Sequence, residues 1–245
     1  MIYVMDGSFE GILTAVFEAY ARKEDPDSIV SQSQYQMSLV SEIRDIITDQ
    51  EKSDRVYKAI VGKMSQDAIE ILYSAYLHEH PDVGAAIYRY IKIGLKIGRK
   101  ATSYIQNPDV LWVNDMSKKV FSEVHLFLGI LRFKRLKNGL YYARMEPDNN
   151  ITMLISNHFA DRLSDQPWII HDAKRDIFAL YDTEQVVFSN EPIPIHEDQR
   201  DDEAFEKLWK RYFKSIAIES RINPRLQKQF MPRRYWKNLI EKQSP

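Results

Sequence analysis

Apolar residues recur along the chain with two different periods, and the first change of period lies close to the start. Ile2 to Met5 form a short apolar run that predicts a strand. After the turn residues Asp6-Gly7-Ser8, apolar residues return at helical spacing from Phe9 to Tyr20. The chain is therefore predicted to begin with a strand, a turn and a helix, followed by a second short strand near Ile29 to Tyr35.

The region that follows is predicted to be helical. Apolar residues three and four positions apart mark amphipathic helices, and Pro81 and Pro108 interrupt the pattern. The predicted helices are Ser53 to Lys63, Ser65 to His78, Val83 to Lys100 and Pro108 to Val124. With the N-terminal strand they give a mostly helical region, which we place at residues 1–124.

Beyond residue 124 the pattern becomes that of β-strands. The first two predicted strands are Leu126 to Leu136 and Leu140 to Met145. Asn138-Gly139, which lies between them, suits a tight hairpin turn.

A helix and three further strands are predicted next. Asp148-Asn149-Asn150 can cap a helix that ends at Leu163. The strands after it are Trp168 to His171, Ile177 to Tyr181 and Val186 to Phe188. The order ββαβββ predicts an antiparallel sheet unit with one helix over residues 125–195, and hence an α+β fold.

Positive charge is concentrated near the end of the sequence. Between Lys207 and Lys242 there are eleven Lys or Arg residues and only two acidic ones, a net charge of +9. The formal charge of the whole chain is −1, so the remainder carries −10. This separation is typical of a surface that binds a polyanion, and we place a basic helical extension, packed on the body, at residues 196–245.

Aromatic residues within the basic extension favour nucleic acid as the polyanion, because rings stack on bases. On a helical wheel Phe205, Trp209 and Tyr212 lie opposite the lysines, so these three rings are expected to pack against the body. The predicted phosphate contacts are Lys207, Lys210, Arg211, Lys214, Arg221, Arg225, Arg233 and Arg234, and the predicted stacking groups are Tyr235 and Trp236.

A second basic stripe lies on the predicted helix from Val83 to Lys100. Its members share one side of that helix and are Arg89, Lys92, Lys96, Arg99 and Lys100. Such a stripe either follows a phosphate backbone or is a solvated helix face, and the sequence leaves both interpretations open.

Three segments resemble the successive motifs of one bacterial family. They are YVMDGSFEGILTAVFEAY at the start, MEPDNNITMLISNHFADRLSDQPWIIHDAKRD in the middle and YFKSIAIESRINPRLQKQFMPRRYW near the end. The family is assigned to DNA metabolism and DNA repair. In relatives its domain of unknown function is fused ahead of a uracil-DNA glycosylase domain, or is encoded beside a radical-SAM DNA-repair protein.

This resemblance implies DNA as a partner, with the radical-SAM repair protein as a second one. It brings no catalytic residue with it, and the sequence contains no glycosylase segment. The predicted function is a DNA-binding accessory protein in DNA repair or base-modification metabolism that acts with a separate catalytic partner. An adaptor whose basic surface docks on an acidic protein is an alternative.

Catalytic chemistry is a further alternative. Asp6 follows a strand and precedes a helix, where α/β enzymes place catalytic or metal-binding carboxylates, but Asp-Gly-Ser also suits a turn or a helix cap. His158 and His171 lie among carboxylates without a diagnostic metal-binding spacing. A metal-dependent DNA hydrolase or nuclease would use Asp6 with these side chains, although no metal site and no cofactor is predicted.

Composition excludes several other classes. The chain has no cysteine, which excludes disulfides, thiolate metal sites and iron–sulfur ligation by this chain. The phosphate-loop and dinucleotide-binding motifs are missing from the sequence. No membrane-length apolar stretch and no signal-peptide pattern is present, so we expect a cytoplasmic protein with no membrane partner.

Overall fold

A computed structural model describes residues 1–35, 42–137, 139–192 and 231–239. The chain contains helices and two separate sheets, which confirms the predicted α+β class. It divides into two compact units, Met1–Phe121 and Ser122–Pro245. Within the ranges given above, no helix is long and apolar enough to cross a bilayer.

A parallel sheet forms one layer of the first unit. Strand β1 (Ile2–Met5) lies between β2 (Ser28–Ser31) and β3 (Ile43–Asp45), and both neighbours pair parallel with β1. Helix α1 (Phe9–Arg22) joins β1 to β2 and makes the crossover that a parallel pair requires. The sequence pattern misses β3 because this strand has only three residues, none of them buried.

The remaining helices of the first unit begin close to the predicted positions. They are α2 (Gln50–Lys63), α3 (Gln66–Tyr76), α4 (Val83–Ile97), a 3-10 turn (Gly98–Ser103) and α5 (Pro108–Ile130). Asp49 and Ser65 cap α2 and α3 by accepting hydrogen bonds from the backbone N–H groups three positions further on. Their apolar faces enclose one core with α1 and β1, whose largest fully buried members include Tyr3, Ile12, Ile60, Leu72, Ile87 and Ile91.

Helix α5 is longer than predicted and contributes residues to both units. Residues 126–130 are its final turns, so the predicted strand from Leu126 to Leu136 is wrong over this part. Of that range, β4 (Lys134–Arg135) is the strand. The error arises because a short apolar run such as Leu126-Phe127-Leu128 has no period that separates helix from strand.

A sheet with the strand order β4-β5-β6-β7-β8 forms the second unit. Its further strands are β5 (Tyr141–Met145), β6 (Trp168–Asp172), β7 (Ile177–Tyr181) and β8 (Val186–Ser189). The prediction of a wholly antiparallel sheet is wrong at one pair, because β5 and β6 are parallel. Helix α6 (Thr152–Arg162) returns the chain between them as a crossover.

Aromatic packing joins α6 to this sheet. Phe159 of α6 and Trp168 of β6 are both buried, and the ring of Phe133 makes edge-to-face contacts with them at 5.2 and 6.1 Å between centroids. Gly139 has a φ of +84°, as the predicted hairpin turn requires, whereas Asn138 lies outside the described residues.

Close packing of α4 on β2 depends on Gly84. A Cβ atom at this position would lie 2.3 Å from the backbone oxygen of Ile29. Since the clash is with backbone, we expect Gly84→Ala to lower the free energy of unfolding by about 1–3 kcal/mol in urea denaturation, despite the higher helix propensity of alanine.

Gly62→Ala in α2 is the matched control, because no atom lies within 4 Å of the Cβ that it would add. This variant should be neutral or stabilising by up to about 1 kcal/mol. The packing explanation would be contradicted by equal unfolding free energies for the two variants.

Candidate nucleic-acid interface

The structure describes one end of the predicted basic interface. Residues Arg233–Asn238 form a 3-10 turn, which we call the C-terminal turn. The other predicted phosphate contacts lie outside the described residues and are Lys207, Lys210, Arg211, Lys214, Arg221 and Arg225. The C-terminal turn and its surroundings within the second unit are therefore the described part of the predicted interface.

Tyr235 fixes the C-terminal turn to the second unit. The side chain is 3% exposed, its hydroxyl donates to Oε1 of Glu123 at 2.5 Å, and its ring packs edge-on against Phe127 at 5.0 Å. Burial, and then the hydrogen bond to Glu123, raises the pKa of Tyr235 well above its ordinary value, so the hydroxyl stays a proton donor. The prediction that Tyr235 stacks on a base is wrong, because the residue belongs to the core.

Glu123 is the acceptor at the centre of this region. It is 7% exposed on α5 and also accepts from the backbone N–H of Asp148 and of Asn149, each at 2.8 Å, and from Nδ2 of Asn149 at 2.6 Å. A carboxylate removed from water is tolerated when donors of this kind replace its hydration. Glu123 thereby joins α5, the loop after β5 and the C-terminal turn.

The turn between β6 and β7 holds the same loop from another side. Asp172 is fully buried and pairs with Nη1 of Arg175 at 2.9 Å. Arg175 also donates to the carbonyl oxygens of Pro147 at 3.2 Å and of Asp148 at 2.7 Å, and Lys174 donates to Asp148 O at 2.9 Å. Burial raises the pKa of Asp172, and the Arg175 guanidinium opposes that shift.

Three stretches of the predicted motifs therefore meet in one network. They are MEPDNN (145–150), HDAKRD (171–176) and MPRRYW (231–236), and Glu123 links the first to the third. Sequence reasoning missed Glu123. The spacing could have identified it as a carboxylate on the buried helix face, because Glu123 lies three positions after Val120 and four before Phe127, which are both buried.

The basic residues of the C-terminal turn differ in how they are used. Arg234 forms an ion pair with Asp148 and donates to the Tyr235 hydroxyl at 3.0 Å, and Lys237 forms an ion pair with Glu146. Asp148 was expected to cap α6, but its carboxylate faces Arg234 and the residue at the cap position is Ile151.

Arg233 and Trp236 form the outward part of the turn. Arg233 is exposed and forms no ion pair with any residue in the described ranges. Its guanidinium lies 5.7 Å from the centre of the partly exposed Trp236 ring, and Nε1 of Trp236 donates to the carbonyl oxygen of Met231 at 2.9 Å. A cation and a partly exposed ring are therefore adjacent in this turn, and their contacts with phosphate and base stay a prediction.

Asp6 lies at the C-terminal end of β1, beside the segment that follows β3. Helix α1 leaves this end of β1 toward β2, while β3 pairs with the other side of β1, and the carboxyl ends of parallel strands are where α/β sheets bind ligands. The carboxylate accepts hydrogen bonds from Ser8 N (2.9 Å), Ser8 Oγ (2.6 Å) and Thr48 Oγ1 (2.8 Å). Partial burial raises its pKa, but these hydrogen bonds prevail and leave the pKa below the usual range. Ser8, rather than Asp6, caps α1.

The two histidine candidates have separate structural surroundings. His158 is exposed on α6, with its ring edge-on to Phe159 at 5.3 Å. His171 stacks on Phe178 at 4.1 Å, and its Nδ1 lies 2.8 Å from the Tyr142 hydroxyl. Burial lowers the pKa of His171. In the part of the chain that the structure describes, no group of three His, Asp or Glu side chains is arranged to hold a metal ion.

Fold and network define an α+β protein whose second unit is organised around a buried carboxylate. A family model for the domain of unknown function DUF4130 matches residues 81–241, which is more than half of the chain, so the protein belongs to this family. The match contains Glu123, the whole network and most of the basic extension. Comparison with curated proteins found no significant match, and comparison with solved structures found none either.

Tyr235→Phe tests the anchor of the C-terminal turn. This variant removes one donor from a buried carboxylate and keeps the ring, so we expect the free energy of unfolding to fall by about 1–3 kcal/mol. Tyr57→Phe, at a residue 40% exposed, is the control and should change it little. Chemical denaturation of both variants measures the difference. Equal unfolding free energies would show that the Tyr235 hydroxyl does not stabilise the fold.

Arg175→Met tests the second support of the loop. The variant leaves the Asp172 carboxylate buried without its cation, for which we expect a loss of about 3–5 kcal/mol in the free energy of unfolding. Lys237→Met breaks a more exposed pair with Glu146 and should cost about 0–1 kcal/mol. Similar midpoints in denaturant for the two variants would argue against a structural role for the buried pair.

Proposed function

We propose that this protein is a DNA-binding accessory protein in DNA repair or base-modification metabolism. It contacts DNA phosphates through its basic C-terminal extension and acts with a separate catalytic partner, for which a radical-SAM repair protein is the candidate. The observation that carries the proposal is the anchored C-terminal turn. Tyr235 is held in the core by Glu123, while Arg233 of the same turn is exposed and Trp236 is partly exposed.

Charge and rigidity both support this function. Residues 207–242 of the extension carry a net charge of +9 in a chain whose remainder carries −10, so an anionic ligand is attracted to one part of the protein. The C-terminal turn is bound by a hydrogen bond to a buried carboxylate and by ion pairs to Asp148 and Glu146. Pre-ordered contacts lose less conformational entropy when a ligand binds.

Nucleic acid fits this surface better than a simple anion. Trp236 is partly exposed beside Arg233, which forms no ion pair within the described ranges, and this ring and this charge supply the stacking and phosphate contacts that an unpaired nucleotide needs. The resemblance to DNA-repair motifs supports DNA as the nucleic acid concerned.

The hydrogen bonds of the Asp6 carboxylate favour a DNA-binding role over the hydrolase alternative. Both of its carboxylate oxygens accept hydrogen bonds from Ser8 or Thr48, and these bonds brace the turn before α1. A carboxylate engaged in this way serves the fold, and among the described residues it belongs to no group of three His, Asp or Glu side chains that could hold a metal ion.

A salt titration of DNA affinity tests the proposal. Fluorescence anisotropy would compare single-stranded, duplex and uracil-containing oligonucleotides with the full chain, with and without Mg²⁺ or Mn²⁺. If about six phosphates are neutralised, log Kd should change with log salt with a slope of magnitude about 4 to 5. An affinity that is independent of salt, or the absence of DNA affinity in a folded protein, would contradict the proposal.

Charge-neutralising variants locate the contact. Lys207→Gln, Lys210→Gln and Lys214→Gln combined should reduce the magnitude of the salt slope by about 2 to 3, and Arg233→Gln alone by about 1. The control combines Lys58→Gln, Lys119→Gln and Lys137→Gln, at exposed lysines without an ion pair in the described ranges. An equal effect of both triple variants would indicate attraction to net charge rather than a defined surface.

A further inference from the structure

The second basic stripe has two parts with different roles. Nε of Arg89 lies 2.7 Å from Oδ1 of Asp109, and Nζ of Lys92 lies 2.8 Å from Oδ1 of Asp25. These two cations are neutralised within the first unit. The first half of the stripe is therefore part of the fold.

The second half of the stripe is free in the described structure. Lys96, Arg99 and Lys100 are exposed, and none forms an ion pair with a residue in the described ranges. Gly98, at a φ of +71°, ends α4 and starts the 3-10 turn, and a Cβ at Gly98 would lie 3.5 Å from the backbone oxygen of Lys63. Lys63, also exposed and without a described ion pair, therefore adds a fourth cation to this place.

Acidic residues are absent from the part of the sequence that carries the stripe. No Asp or Glu occurs between Asp82 and Asp109, a stretch that contains all five cations of the stripe. A surface helix that only needs to stay solvated ordinarily mixes both signs of charge. The nearest acidic residues in the sequence are Asp82 before this stretch and Asp109 after it, and Asp109 already forms an ion pair with Arg89.

Exposed apolar side chains follow the cations. Tyr104 is 42% exposed and Ile105 is 56% exposed, directly after the 3-10 turn. Favourable interaction with the helix dipole explains a cation in the last turn of α4, such as Lys96. It explains neither the cations beyond the end of the helix, Arg99 and Lys100, nor an exposed ring beside them.

We propose that Lys63, Lys96, Arg99, Lys100 and Tyr104 form a second nucleic-acid contact, located in the first unit. The four cations bind the phosphates of single-stranded DNA, and Tyr104 stacks on a base. Single-stranded DNA suits the surface because its unpaired bases are available to an exposed ring. This inference rests on the proposed function, since both surfaces take the same ligand.

The combined variant Lys96→Gln, Arg99→Gln, Lys100→Gln tests the cationic part. In the full chain it should weaken binding of a labelled single-stranded oligonucleotide by at least about tenfold at low salt and reduce the magnitude of the salt slope by about 2. The triple variant at Lys58, Lys119 and Lys137 removes the same charge elsewhere and should keep the wild-type slope. Circular dichroism melting of both variants would establish that they are folded.

Tyr104→Ala tests the stacking part. It should weaken binding by about 5- to 100-fold, whereas Tyr104→Phe, which keeps the ring, should bind as the wild type does. Equal affinities of the Ala and Phe variants would overturn the stacking contact.

Three outcomes separate this inference from the proposed function. Wild-type binding to DNA with equal slopes for the two triple variants would overturn the second contact and leave the proposed function standing. Failure of the wild type to bind DNA would overturn both. If the combined variant at Lys96, Arg99 and Lys100 lost the binding of the wild type to anionic lipid vesicles but kept its affinity for DNA, the cations would be assigned to a membrane surface, which would contradict the nucleic-acid assignment.

Discussion

The buried carboxylate of Glu123 is the constraint on which the second unit depends. A carboxylate on the apolar face of a helix is stable only if donors replace the water that it has lost, and those donors come from Asp148, Asn149 and Tyr235. These residues are far apart in sequence, so the loop after β5 and the C-terminal turn must both be in place for the site to be satisfied. The same bond that stabilises the core therefore sets the position of a basic turn at the surface.

Cations in this protein have one of two roles. Arg89, Lys92 and Arg234 form ion pairs with Asp109, Asp25 and Asp148, and a polyanion would have to displace these acids before it could bind there. Two places where cations have no ion pair with a described residue are Arg233 in the C-terminal turn and the end of α4. Each place also carries a partly exposed ring, Trp236 or Tyr104. This recurrence of unpaired charge with an accessible ring is the physical basis for proposing two contacts with the same ligand.

Periodicity and turn residues predicted most of the elements, because α1 to α4 each bury an apolar face at helical spacing and turn residues bound the short apolar runs of β1 and β6 to β8. They failed where a partner outside the element decides the structure. Strand β3 is short and lacks a buried residue, the end of α5 is an apolar run without a period, and the direction of β6 relative to β5 depends on the crossover of α6. The site shows the same division. Charge indicated the basic turn, but the prediction of Tyr235 as a stacking group failed because a sequence does not reveal that Glu123, 112 positions away, accepts a hydrogen bond from its hydroxyl.

Amide hydrogen exchange of the full chain, measured with and without single-stranded DNA, tests the central claim most directly. Backbone amides of the C-terminal turn and of the 3-10 turn after α4 report on the two proposed contacts without any substitution. The account predicts that DNA slows exchange at Arg233–Asn238 and at Gly98–Ser103, and that high salt removes this protection. Protection confined to other parts of the chain, or exchange that DNA leaves unchanged in both turns, would contradict it.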